Sequence, residues 1–157
     1  MKVAIIMGSN SDYPIMKETE IILEKFNISY DTKVMSAHRT PELVIEFSKE
    51  AQNNGYGVII AAAGGAAHLA GVIASSTILP VIGVPIKAKT LDGIDSLLST
   101  VQMPSGVPVA CVGINQALNA GLLAIQMLGI SNSTIAKELM AYKLALIEKV
   151  KNMKLEK

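Results

Sequence analysis

The chain contains two histidines and one arginine, and all three lie just after apolar runs that have the character of strands. His38 and Arg39 are adjacent, and His68 follows a run of small residues. An imidazole can take up and return one proton near neutral pH, as a general acid and base must. The planar guanidinium of Arg39 suits bidentate binding of a phosphate or carboxylate. These residue types predict proton transfer on a small anionic substrate.

The segment from residue 8 to residue 12 adds small polar side chains at a predicted helix start. Ser9 and Ser11 could donate to a phosphate monoester at that helix end, or could simply be turn residues. Asp12 would repel a phosphate, so it either caps the helix or accepts hydrogen bonds from sugar hydroxyls, and spacing alone favours the cap. For His68, holding backbone carbonyls and contacting substrate are equally good readings.

Other kinds of site are not indicated by the sequence. It has no G-x-G-x-x-G, no G-x-x-x-x-G-K-[ST] and no G-x-S-x-G, so dinucleotide, nucleoside triphosphate and serine-hydrolase sites are not predicted. Two histidines thirty positions apart, with no cluster of carboxylates or cysteines, do not make a metal site. Cys111 lies inside a predicted strand, where a thiol is usually inert. We expect neither a metal nor a cofactor.

Strand and helix patterns alternate along the chain. Apolar or alternating runs predict strands at 3–7, 28–34, 58–60, 81–84 and 109–112. Helical spacing predicts helices after residue 12, from Pro41 to Gly55, and at about 67–77, 92–102, 115–128 and 133–153. This order predicts a three-layer α/β/α sandwich around a five-stranded, doubly wound parallel sheet. Ligands of such sheets bind beyond the carboxyl ends of the strands, where the histidines and Arg39 lie.

The length of 157 residues predicts one domain over 1–157, with an α/β core at 1–130 and a C-terminal helix within 131–157. Charged residues make up 17% of the chain and none lies between Glu50 and Lys87 or between Asp95 and Lys137. Prolines, glycines and polar residues interrupt both stretches, so neither predicts a membrane span. So little charge predicts a homo-oligomer. The wide apolar arc of the last helix fits either packing on its own sheet or contact with a neighbouring subunit, and the low charge favours a subunit interface.

The formal net charge of +1 gives no electrostatic footprint for nucleic acid or for an anionic membrane surface. One cysteine cannot form an intrachain disulfide, and the strand-like run begins at Lys2 without a leader pattern before it. We therefore expect a cytoplasmic location.

Five motifs together resemble a known family. They are GSNSD at 8–12, SAHRTP at 36–41, AGGAAHL at 63–69, GVP at 83–85 and VQMP at 101–104. In this order and register the chain resembles the phosphoribosylaminoimidazole carboxylase catalytic subunit family, in its bacterial and archaeal mutase type. The resemblance implies a flavodoxin-like fold and an isomerase of de novo purine synthesis. Such an enzyme transfers a carboxylate from N5 to C4 of N5-carboxyaminoimidazole ribonucleotide.

The resemblance also implies roles for particular residues. His38 is the implied general acid and base, and Asp12 would meet the ribose hydroxyls, against the reading of Asp12 as a cap. The phosphate would be held by four side chains, namely Ser9, Ser11, Ser36 and Arg39. The imidazole and the migrating carboxylate would be enclosed by the small-residue loop and the start of its helix, namely Gly64, Ala67, His68 and Leu69. The family further implies a homo-octamer whose sites neighbouring subunits complete, and it leaves room for transient contact with the N5-carboxylating synthetase.

Three other functions remain as alternatives to the mutase. One is a non-catalytic ligand-binding or scaffold module, for which a His38→Asn variant would lose no measurable function. Related carboxylases that use free carbon dioxide commonly have lysine where Arg39 stands, so SAHR favours the mutase. A flavin-binding electron carrier could share the fold, but the chain has no Trp, few aromatic residues and a phosphate loop of low Ser/Thr density. Two departures from the family pattern are Ala70, where proline is usual, and the segment 111–116.

Overall fold

The computed structural model describes residues 1–154. The strands are β1 (Lys2–Met7), β2 (Tyr30–Val34), β3 (Tyr56–Gly64), β4 (Val81–Ile86) and β5 (Ala110–Cys111). The helices are α1 (Tyr13–Lys25), α2 (Pro41–Glu50), α3 (Leu69–Ala74), α4 (Ile94–Val101), α5 (Ala117–Gly129) and α6 (Ser133–Lys151). Single 3-10 turns at Asn10–Asp12 and Leu91–Gly93 precede α1 and α4.

The strands form one sheet in the order β2-β1-β3-β4-β5, and every neighbouring pair is parallel. The chain moves outward from β1 in one direction to β2 and in the other direction to β3, so the strand order reverses beside β1. Loops after β1, β2 and β3 diverge there and leave a crevice at the carboxyl edge. The predicted doubly wound sheet of five parallel strands is confirmed.

Alternate residues of the strands enter two separate cores. Val3, Ile5 and Met7 of β1 lie in a cluster that α1, α5 and the first turns of α6 cover. Ala4 and Ile6 lie in the opposite cluster, beneath α2 and α3. A central strand buried on both faces explains why the segment 3–7 is a continuous apolar run. The rigid centre of the sheet therefore carries the loop of residues 8–12.

Two strands are shorter than the sequence predicted. β2 begins at Tyr30 because the amide of Ile28 donates to the Leu23 carbonyl at 2.9 Å, which holds residue 28 in the turn that follows α1. β5 is limited to Ala110–Cys111, an edge strand that pairs with β4 alone. Short edge strands limit unwanted pairing with other chains.

α2 ends at Glu50 rather than at Gly55, and α5 begins at Ala117 rather than at about residue 115. α3 and α4 also begin later than predicted. α3 begins at Leu69 because the amide of Ala67 donates to Ser99 Oγ at 3.0 Å and lies outside the helix. α4 begins at Ile94 because Asp92 and Gly93 have φ angles of 52° and 91°, which no right-handed helix contains. Serine contact and left-handed turns are tertiary features that helical spacing does not reveal.

The last helix is only partly covered by the rest of the chain. Asn132 caps α6 by accepting hydrogen bonds from the amides of Thr134 and Ile135 at 3.0 and 3.2 Å. The first half packs on the core through Ile135, Leu139 and Tyr142. The apolar residues beyond are exposed, namely Met140, Leu144, Leu146, Ile147, Val150 and Met153. The interface assigned to 131–157 stays a prediction, and residues 155–157 lie outside the described part.

Across residues 1–154, no helix is both long enough and apolar enough to span a membrane.

Candidate active site

The loops after β1, β2 and β3 meet at the carboxyl edge of the sheet and enclose a cavity of about 620 Å³. Nine of the ten residues that the sequence singled out line it, namely Ser9, Ser11, Asp12, Ser36, His38, Arg39, Gly64, His68 and Leu69. They are far apart in the chain and come together because parallel strands end at the same edge. A cavity of this size accommodates a small ligand.

Arg39 connects the first two loops. Its Nη2 donates to the Gly8 carbonyl at 2.7 Å, and its Nε and backbone N–H both donate to Ser36 Oγ at 3.3 Å. The guanidinium has donors beyond those used in these bonds. Its orientation is therefore fixed by protein while part of its hydrogen-bonding capacity remains for an anion in the cavity.

The two serines of the first loop form one hydroxyl cluster. Ser9 Oγ accepts from the Ser11 amide at 3.3 Å and lies within hydrogen-bond distance of Ser11 Oγ at 2.9 Å, and it caps the 3-10 turn that precedes α1. Ser9 is thus a turn residue and a cavity residue at once. The two alternatives raised by its sequence position are compatible, because a hydroxyl both accepts and donates.

Asp12 occupies the N-cap position of α1 but makes no side-chain capping bond. The cap that spacing favoured is therefore wrong. The residue is only 8% exposed, and its carboxylate accepts from Ser11 Oγ at 3.1 Å. Burial raises the pKa of Asp12, while the hydrogen bonds from Ser11 and Ser9 lower that pKa in part. A desolvated carboxylate that does not cap its own helix is suited to accept from ligand hydroxyls.

The two histidines line the cavity side by side and contact each other directly. Nε2 of His38 lies 2.8 Å from Nδ1 of His68, and the rings meet edge to face with centroids 4.9 Å apart. A bond this short requires a proton on one of the two nitrogens and a lone pair on the other. Neither sequence reading of His68 included this contact, because the residues lie in different loops and only the fold brings them together.

The third loop supplies the wall of small residues. Gly65 has a φ angle of 63°, and a Cβ added to Gly64 would lie 3.1 Å from the Ile86 carbonyl oxygen, so both positions favour glycine. Ala66 and Leu69 line the cavity, whereas Ala67 does not. Ala67 is turned into the core by the bond between its amide and Ser99 Oγ.

Two lysines that sequence reasoning did not single out also line the cavity. Lys87 and Lys89 lie in the loop after β4, next to the β3 loop, and Lys87 forms an exposed ion pair with Asp92 at 2.8 Å. This ion pair holds the pKa of Asp92 below its ordinary value. A signal was present, because Lys87 is the first charge after a long uncharged stretch and directly follows an apolar run.

A model of one protein family matches residues 2–149, which is nearly the whole chain. That family is described as AIR carboxylase. The chain belongs to the AIR carboxylase family. The resemblance drawn from the five sequence motifs is thereby confirmed.

Two relatives that share one name match most of this chain. The N5-carboxyaminoimidazole ribonucleotide mutase of Pyrococcus horikoshii is 60% identical over 140 residues, which cover 89% of this chain and 79% of the relative. The enzyme of that name from Thermotoga maritima is 56% identical over 156 residues, which cover 99% of this chain and 89% of the relative.

A solved structure supports the fold of this AIR carboxylase family member. The crystal structure of Treponema denticola PurE aligns with a TM-score of 0.86 at 29% identity, covering 94% of this chain and 92% of that one. The flavodoxin-like architecture expected from the sequence is therefore confirmed.

The described residues of this AIR carboxylase family member include no group of three or more His, Cys, Asp or Glu side chains that could hold a metal ion. The polar lining of the cavity consists of hydroxyls, imidazoles, cations and one carboxylate. Such a lining is suited to a small molecule that carries negative groups and hydroxyls.

Proposed function

We propose that this protein is an N5-carboxyaminoimidazole ribonucleotide mutase, an isomerase of purine biosynthesis. It transfers the carboxylate of its substrate from the exocyclic N5 to C4 of the imidazole. The observation that carries the proposal is that His38 and Arg39 line the same cavity in a member of the AIR carboxylase family. His38 can transfer protons, and Arg39 can bind an anion. The relatives named above carry the mutase name.

The phosphate of the substrate binds at the β1 and β2 side of the cavity. Arg39 supplies a guanidinium already oriented by Gly8 and Ser36. Hydroxyls of Ser9 and Ser11 lie on the same wall and can donate to further phosphate oxygens. Charge-assisted bonds of this kind are stronger than neutral ones, so they fix the substrate in one orientation.

The ribose lies against Asp12. Its carboxylate is buried and uses one acceptor site for Ser11, which leaves capacity for sugar hydroxyls. Hydroxyl donors would offset the desolvation that raises the pKa of Asp12. Substrate binding therefore relieves a cost that the free protein carries.

The imidazole and the migrating carboxylate lie against the third loop. Gly64, Ala67, His68 and Leu69 belong to this part of the proposal, with Ala67 acting through loop packing because it does not line the cavity. Small side chains leave space for carbon dioxide beside C4. A carbon dioxide molecule that cannot leave this space stays at high effective concentration for the second half of the reaction.

His38 transfers a proton in each half of the reaction. As an imidazolium it protonates N5, the bond from N5 to the carboxylate carbon breaks, and neutral carbon dioxide is released into the pocket. C4 then attacks that carbon dioxide to form a new carbon–carbon bond and a C4 carboxylate. Neutral His38 removes the proton from C4, which restores aromaticity and returns the histidine to its starting charge. Atoms and charge balance, so the step needs no metal and no cofactor.

The proposal includes a cytoplasmic homo-octamer. The exposed apolar residues of α6 and the low charge content of the chain support burial against further copies. The free thiol of Cys111 suits a reducing compartment. A transient complex with the N5-carboxylating synthetase would protect the labile carbamate during transfer. Light scattering at several protein concentrations tests the assembly.

The function is tested by following 4-carboxyaminoimidazole ribonucleotide formation by ultraviolet absorbance. The substrate is N5-carboxyaminoimidazole ribonucleotide in bicarbonate-depleted buffer, and the control is spontaneous conversion without protein. Product appearing at an enzyme-dependent rate is the expected result. Product formed only from aminoimidazole ribonucleotide with added bicarbonate would instead identify a direct carboxylase.

A further inference from the structure

The contact between His38 and His68 constrains where protons can lie. Only one of Nε2 of His38 and Nδ1 of His68 can carry a proton while they remain 2.8 Å apart. Two imidazolium rings would direct N–H against N–H, so the pair cannot hold two positive charges in this geometry. In this geometry the pair can therefore bind at most one proton more than two neutral imidazoles carry.

The shared proton decides the chemistry of the other nitrogen of His38. If Nε2 of His38 donates, Nδ1 of neutral His38 has a lone pair and can act as a base. If Nδ1 of His68 donates instead, Nδ1 of neutral His38 carries a hydrogen and cannot accept the C4 proton. One of these tautomers supports the second half of the proposed reaction directly, and the other would first have to rearrange.

We propose that His68 is a positioning residue that accepts a hydrogen bond from Nε2 of His38 and thereby reserves Nδ1 of His38 for both proton transfers. This inference rests on the proposed mutase function. The His38 imidazolium gives its Nδ1 proton to N5 while Nε2–H stays bonded to His68. The resulting neutral tautomer already presents the Nδ1 lone pair that later takes the C4 proton. No ring rotation and no tautomer exchange separates the two steps.

Electrostatics around the pair is consistent with this assignment. The charged groups that share the cavity are Asp12, Arg39, Lys87 and Lys89, so cations outnumber the one carboxylate. In the proposed arrangement the neutral ring of His68 supports the imidazolium of His38 with a lone pair and adds no further positive charge. A hydrogen bond from a charged donor is stronger than one from a neutral donor, so His68 holds the ring of His38 in place most firmly while that ring is an imidazolium.

The first test measures tautomers directly. The chain has two histidines, so protein labelled with ¹⁵N-histidine gives nitrogen signals from two rings only. Above the titration range of His38, the expected spectrum shows His38 with hydrogen on Nε2 and His68 with Nδ1 unprotonated. In His68→Phe the tautomer preference of His38 should weaken. A parent protein in which neutral His38 carries its hydrogen on Nδ1 would overturn the proposal.

The second test uses kinetics with two matched variants. His68→Phe keeps a ring but has no acceptor, and His68→Asn can place its amide oxygen near the former Nδ1. Because His68 is exposed, neither change should unfold the protein. We expect His68→Phe to lower kcat roughly tenfold or more with KM within about twofold. His68→Asn should recover most of that loss.

The split between kcat and KM separates positioning from a merely structural role. Equal losses of kcat in both variants would contradict the proposal, as would a rise in KM alone. If the parent shows no mutase activity, the proposed function fails, while the nitrogen spectrum still decides the tautomer.

Discussion

The two ends of the sheet use charge in opposite ways. At the amino end, Lys2 Nζ and Tyr56 Oη each donate to Asp31 Oδ2 at 2.6 Å, and Lys2 also lies 4.4 Å from the centroid of the Tyr56 ring. Lys2 and Tyr56 begin β1 and β3, Asp31 is the second residue of β2 between them in the hydrogen-bond network, and the three polar groups bond to one another. At the carboxyl end, Arg39 and Asp12 line an open cavity and are not paired with each other.

The pKa values of Asp31 and Asp12 differ as a consequence of these two surroundings. Hydrogen bonds from Lys2 and then from Tyr56 lower the pKa of Asp31. Burial raises the pKa of Asp12, in spite of its bonds with Ser11 and Ser9. The first carboxylate is stabilised by its own protein, while the second is left to be stabilised by a ligand. Changes at the carboxyl end should therefore affect activity, and changes at the amino end should affect stability.

The largest effect is expected for His38→Asn. Asparagine is polar and can keep a hydrogen bond to His68, but it cannot exchange a proton near neutral pH. Loss of a general acid and base should lower kcat by about a hundredfold or more with KM nearly unchanged. Steady-state kinetics with the N5-carboxylated substrate checks this, and thermal unfolding is the control. Undiminished turnover would remove His38 from the reaction.

Arg39→Lys should have the next largest effect. Lysine keeps the charge but cannot donate to Gly8, Ser36 and a phosphate in the same plane. We expect substrate affinity to fall roughly tenfold, which corresponds to about 1.4 kcal/mol. A binding titration measures it. Lys49→Arg, on the exposed side of α2, is the matched control, because it exchanges the same two residue types away from the cavity and also keeps the charge.

Asp12→Asn should separate activity from stability. The pKa of Asp12 is raised in the folded protein, so the native state binds a proton more tightly than the unfolded state does, and ionisation at neutral pH opposes folding. The variant should therefore unfold at a higher temperature than the parent at pH 7, and this advantage should vanish below the ordinary pKa of 3.8. Turnover should drop several-fold. A lower unfolding temperature at pH 7 would contradict the assignment.

The smallest effect belongs to the amino end. Tyr56→Phe removes the donor to Asp31 and should cost about 1 kcal/mol of unfolding free energy while leaving kcat and KM unchanged. Because the pKa of Asp31 is lowered in the fold, this contribution is present above pH 3.8 and is lost as the pH falls through the folded value. Denaturant unfolding measures the change.

A matched control for Tyr56→Phe is Tyr30→Phe. Tyr30 Oη donates to Glu24 at 2.6 Å on the surface, and this contact raises the pKa of Tyr30 to about 12. This exposed hydrogen bond should contribute less to the free energy of unfolding than the bond from Tyr56, whose ring is buried. Equal losses of stability in the two variants would remove the distinction drawn for the amino end.

Local patterns carried much of the prediction. Apolar runs identified the strands, and the loops after those runs pointed to six cavity residues, because the end of a parallel strand fixes where its loop lies: Ser9, Ser11, Asp12, His38, Arg39 and His68. The family resemblance added Ser36, Gly64 and Leu69. Lys87 and Lys89 were missed although they follow β4, since neither belongs to a motif. Ala67 was included with its loop, but its amide bond to Ser99 turns it away from the cavity.

The sequence by itself determined the order of strands and helices, the edge of the sheet that carries the site and the family of the chain. These follow from periodicity and from short motifs, which are local properties. Only the tertiary structure decided the contact between His38 and His68, the freedom of Asp12 from capping, and the pairing of Lys2 with Asp31 and Tyr56. Each of these depends on register and burial between distant segments, and no spacing along the chain encodes a distance of a few ångströms across it.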